Sequence, residues 1–93
     1  MDVETALREI DEANAKHVGE EGYERLREEY ERGLREVDGI AGGAAVEELC
    51  RHLAGHIRHH GDRPPVPVAD LYAAAAVRAV GGEVPAESFL ANA

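Results

Sequence analysis

Tryptophan is absent from the chain, phenylalanine and methionine occur once each, and three tyrosines complete the aromatic set. A core made without large rings must come from Leu, Ile, Val and Ala, and alanine buries little area. So lean a core in 93 residues gives modest stability, and self-association or a partner is expected to add to it. Lysine is nearly absent too: Lys16 is the only one, and arginine supplies the rest of the positive charge. With 10 basic residues against 19 acidic ones the net charge is −9. Protonating all five histidines would still leave −9 + 5 = −4. Phosphate backbones and anionic lipid surfaces repel such a chain, so neither direct nucleic-acid binding nor membrane attachment is expected.

One cysteine, Cys50, rules out a disulfide within the chain, and a reducing cytoplasm is the expected home. No apolar run approaches the ~20 residues of a membrane span, and "MDVETALREI" lacks the basic and apolar regions of a signal peptide.

What the chain does have is helical periodicity. Val3, Ala6, Leu7, Ile10, Ala13 and Val18 recur at three- and four-residue spacing, which predicts a helix from Asp2 to Val18 with Asp2 as cap. Gly19 and Gly22 interrupt it, and permit either a hairpin or one bent rod. "YERLREEYERGLREV" turns Tyr23, Leu26, Tyr30, Leu34 and Val37 one way. Its remaining face is charge, with Glu21→Arg25, Glu28→Arg32 and Glu31→Arg35 in the favourable i,i+4 order. "DGIAGG" is expected to end this helix at Val37. A third helix is expected from Ala44 to His60, with Val46, Leu49, Cys50, Leu53 and Ile57 inward. "GDRPPVP" is expected to form a stiff connector, because proline fixes φ and cannot continue a helix. "VADLYAAAAVRAV" makes an alanine-rich fourth helix ending at Gly81-Gly82. A last turn is expected to start at Pro85, with Phe89 and Leu90 tucked against the bundle. No stretch alternates as a strand does. The expectation is a single all-α domain over residues 1–93, four helices plus a short C-terminal helical turn.

Four of the five histidines fall within "CRHLAGHIRHHGD". On a helix, Glu48, His52, His56 and His60 form one stripe. The i,i+4 spacing of His52/His56 and His56/His60 is that of helical zinc sites. The outer two are about 12 Å apart along the axis, so a mononuclear site must take one pair and recruit further ligands. Asp62, His17, a glutamate of the second helix or a second copy could supply them. Zinc or iron would be the ion. The zincin pattern fails because Leu53 stands where a glutamate belongs, and di-iron bundles need Glu-x-x-His on two helices. Two other accounts stand beside the metal: histidines favoured at a helix C-terminus and edge, and a pH-responsive interface.

Nothing else assembles a catalytic set. Cys50 sits in an apolar stripe, where a thiol is a small hydrophobe with a raised pKa. The paired glutamates lie on wet helix faces. "GIAGGAA" lacks the lysine of a phosphate loop and follows no strand. A helix-turn-helix reading fails, since the connector is too long and the fourth helix carries Arg78 as its single cation.

The expected function is therefore that of a small, acidic, non-enzymatic interaction protein, an adaptor or assembly accessory factor. It would act through a protein partner or as a homo-oligomer, with no resident cofactor. Leu71, Tyr72, Ala75, Ala76, Ala79 and Tyr30 are the expected interface. Divalent-metal binding through the histidine stripe is the alternative, and an acidic mimic of nucleic acid is a third possibility.

Overall fold

In the computed structural model the described residues are 1–60 and 66–93, without the side chains of residues 60 and 66–68. The expected connector and Asp62 lie largely or wholly outside them. Four helices, α1 (Val3–His17), α2 (Tyr23–Ala41), α3 (Gly43–His60) and α4 (Val66–Ala79), precede a 3₁₀ turn at Phe89–Asn92. The described residues contain no strand, and the chain is a small all-α bundle. None of their helices is long and apolar enough to cross a membrane.

α2 and α3 form a central pair. α1 and α4 each lie across both of them, and do not touch each other among the described residues. α1 begins as its sequence dictates, with the Asp2 carboxylate accepting from the Thr5 amide at 2.7 Å. Its stripe of Val3, Ala6, Leu7, Ile10 and Ala13 is buried. The choice between hairpin and rod resolves as a hairpin: α1 packs on α2. Asp11 Oδ1 locks the fold-back, accepting from Tyr23 Oη at 2.7 Å and Arg27 Nε at 2.8 Å.

α2 runs four residues past the expected end at Val37. Asp38, Gly39, Ile40 and Ala41 stay helical, and only Gly42, at φ 77°, turns the chain. A single glycine in the left-handed region suffices to end a helix, and a glycine with helical φ does not. α3 starts at once with Gly43. Gly33, mid-helix on α2, is buried. A Cβ there would meet a Leu49 methyl of α3 at 3.7 Å, an ordinary contact, so α2 and α3 pack here at normal spacing. The α3 stripe of Val46, Leu49, Cys50, Leu53 and Ile57 is buried as expected, with Ala45 and Ala54 beside it.

α4 closes with the Gly82 amide on Val77 O (2.9 Å) and the Gly81 amide on Arg78 O (3.0 Å), Gly81 at φ 83°. This is the Schellman pattern that a Gly-Gly pair permits. A turn does open at Pro85, whose carbonyl accepts from the Ser88 amide at 3.0 Å, but the 3₁₀ helix starts only at Phe89. Ser88 caps it, its hydroxyl oxygen accepting from the Leu90 amide and donating to Glu36 Oε2 at 2.6 Å. Leu90 is fully buried, but Phe89 is 36% exposed: one of the expected pair is tucked in, and the other faces out.

Candidate functional site

α3 and α4 meet along a seam that gathers part of the histidine stripe. The His52 ring stacks on Tyr72, centroids 5.7 Å apart and planes within 17°. His56 tilts at 60° to the same ring, and its Nδ1 shares a 3.1 Å hydrogen bond with Tyr72 Oη. Glu48 Oε1 is 3.9 Å from His52 Nε2, while its other oxygen holds Arg51 at 2.6 Å. So Glu48, His52 and His56 do share a seam, with a phenol lodged against both rings. Of the expected recruits, His17 is elsewhere, in an open groove of about 540 Å³ with Glu9, Glu12, Lys16 and Arg58. The His60 side chain and Asp62 are outside the described residues. Among the described residues no three His, Cys, Asp or Glu side chains converge as a ligand set. What the seam can do chemically is stack, share a proton along His56–Tyr72, and tie α4 to α3.

Cys50 is 1% exposed, its Sγ 3.6 Å from Ala6 O and 3.5 Å from Glu9 Oε2. Burial first, then the Glu9 carboxylate, push its thiol up to about 12. Since thiolate is the reactive form, the native protein is expected to ignore a thiol reagent that labels it fully once unfolded. The same shift has a consequence for stability. The unfolded chain loses this proton near pH 9 and the folded one only near 12, so stability should fall across that interval as pH rises. Thermal melts at alkaline pH check the trend, and a flat profile there would contradict it.

One edge of the charged face of α2 reaches α1, while Glu24, Arg25 and Glu28 are exposed. Arg35 bonds Glu31 at 2.7 Å and Glu4 at 3.0 Å, and Arg27 bridges Asp11 and Glu31. Of the expected i,i+4 pairs, Glu31–Arg35 forms, whereas Arg32 turns to Glu29 and Asp70. These ion pairs are half-exposed and each is worth little.

The outer side of α4 differs. Leu71 is 51% exposed, Ala75 and Ala79 are exposed, and Tyr72 borders the strip from the seam. Two of the expected interface residues are corrected: Tyr30 (2% exposed) and Ala76 (fully buried) belong to the core. Tyr30 is on the buried stripe of α2; for Ala76 the roll of α4 decides, sending Ala69, Ala73, Ala76 and Val77 inward and leaving positions 71, 75 and 79 outside. Between Leu71 and the C-terminal turn opens a groove of about 340 Å³, lined by Asp70, Leu71, Phe89, Asn92 and Ala93. The Arg32 guanidinium lies 4.3 Å over the Phe89 ring. It reaches Glu29 at 3.2 Å and Asp70 at 3.9 Å. Loss of water raises the Asp70 pKa, Arg32 opposes the rise, and Glu29 adds to it. Sequence reasoning missed Arg32, Asp70 and Phe89 as one group. The single available signal was a lone phenylalanine beside a leucine in a 3₁₀ turn, where only one of two neighbours can point inward.

No known family, curated protein or solved structure matches the chain, so these side chains alone define its class: a helical bundle with one apolar outer strip and no assembled catalytic set among the described residues.

Proposed function

We propose that this is a small acidic interaction protein, non-enzymatic, that works by docking the outer strip of α4 and the adjoining groove on a protein partner or a second copy. One observation carries the reading. Among the described side chains the large apolar residues that stand exposed are Leu71, Val80 and Phe89, and Leu71 and Phe89 line the same groove. Single exposed apolar residues need no explanation, but contiguous ones beside an apolar helix face do. The absence of any signature for nucleic-acid or lipid contact in a chain of net charge −9 leaves protein surfaces as the partner class. A cytoplasmic setting suits the single buried thiol.

Leu71→Asp is the test. The residue is half in water, so the fold should survive with an unchanged helical circular-dichroism spectrum. Complex formation, by self-association or by capture of a defined protein from the native host, should fall at least about ten-fold, as when a charge enters an apolar contact. Association by the wild type that Leu71→Asp leaves intact would move the docking site elsewhere.

A further inference from the structure

We propose that the occupant of the α4 strip is a second copy of this chain, its α4 antiparallel to the first about a two-fold axis at Ala75. This rests on the docking reading above and names its partner.

Charge is the first argument. The chain carries −9, yet α4 contributes one acid, Asp70, and one base, Arg78. Two copies repel least through this face. The local balance is also asymmetric in a way that a copy corrects. At the groove end, two carboxylates, Glu29 and Asp70, share the Arg32 guanidinium. At the other end Arg78 makes no ion pair among the described residues. Asp70 and Arg78 are eight positions apart, about 12 Å along the axis, too far for them to pair within one helix. An isologous contact brings unlike ends together.

Register follows from helix geometry. In an antiparallel pair centred on Ala75, residues whose numbers sum to about 150 face each other. Leu71 then lies over the partner's Ala79, a large side chain into the space of a small one. Ala75 meets itself, and small side chains there let the axes approach to about 8 Å. At ~100° per residue, Arg78 and Asp70 fall on the same flank of Ala75. A two-fold axis perpendicular to the helices preserves flanks, so Arg78 arrives beside Asp70 and Phe89 of the other copy, at the groove. Parallel pairing would instead set Leu71 on Leu71 and Arg78 on Arg78.

The test uses the full chain with single cysteines at exposed positions, native Cys50 being buried. Under mild oxidation Ala75→Cys should form a disulfide dimer, since the two copies meet at the axis. Ala79→Cys should form it at least about ten-fold more slowly, its copies standing about 12 Å apart and beyond disulfide reach. A mixture of Leu71→Cys and Ala79→Cys should give the mixed dimer. Sedimentation of the wild type up to about 1 mM should show concentration-dependent dimer, lost in Leu71→Asp. Equal cross-linking at 75 and 79 would overturn the antiparallel arrangement. Monomer throughout, with slow cross-linking at 75, would overturn the second copy as occupant. The docking reading is judged separately, by Leu71-dependent capture of a different protein, and can survive that result.

Discussion

Truncating Leu49 to alanine is expected to cost about 3–4 kcal/mol, in the usual range for a leucine removed from a closed core. Leu49 has no exposed surface and sits where α3 meets the bare backbone of Gly33 on α2. Relaxation into the hole would need two packed helices to shift as units, so the cavity should persist. A domain of this length typically has about 5–10 kcal/mol in hand, and this core has no large ring to spare apart from Tyr30. A loss near 3 kcal/mol corresponds to a fall of roughly 12–24 °C in melting temperature. Leu71→Ala, on the outer strip, should shift it by only a few degrees in the monomer. Thermal melts of both variants followed by circular dichroism make the comparison, and similar shifts would mean that the α2–α3 contact is not the centre of the core.

The helices were legible because their signals are local. Asp2 as cap, the α1 and α3 stripes and the Gly81-Gly82 stop each depend on residues within one turn of each other. The errors came where one local signal competed with another or with packing. Gly39 reads as a breaker, yet only Gly42 has left-handed φ. Glycine permits that conformation without demanding it, so composition alone places the end of α2 too early. Pro85 opens a turn, but the 3₁₀ helix starts after Ser88, whose hydroxyl also bonds Glu36, 52 residues away, a partner no window on the sequence contains.

The candidate site was less legible, for the same reason on a larger scale. The i,i+4 spacing of His52 and His56 put both on one edge of α3, but the presence of Tyr72 against both rings depends on the roll of α4. That roll also decided which alanines are outside. Periodicity identified Ala75 and Ala79 as candidates together with Ala76, and the alanine-rich run has too uniform a hydrophobicity to choose between them. Tyr30 lies on the same face of α2 as Leu34 and Val37 and is buried with them, which the spacing of that helix already implies. The cluster of Arg32, Asp70 and Phe89 joins three segments far apart in sequence, and nothing at short range foretells it.

That cluster hangs on one side chain, which makes Leu90→Ala the sharpest probe of the docking groove. Leu90 is fully buried while its neighbour Phe89 is 36% exposed, so Leu90 pins the turn and Phe89 furnishes the groove. The turn has four residues and packs on α4; Ser88 adds the bond to Glu36. Removing the leucine should cost about 2–3 kcal/mol. A short terminal segment with few other contacts can meet that cost by detaching, without unfolding the bundle. The expected result is a local one. Amide exchange should accelerate in residues 84–93, the Arg32–Phe89 contact should be lost, and the α1–α3 amides should stay protected. Because the groove wall goes with the turn, association through α4 should weaken as it does in Leu71→Asp, although Leu71 itself is untouched. Exchange measured by mass spectrometry, alongside sedimentation, separates the alternatives. Loss of protection throughout would make Leu90 part of the main core, and a freed turn with undiminished association would confine the contact to the α4 strip alone.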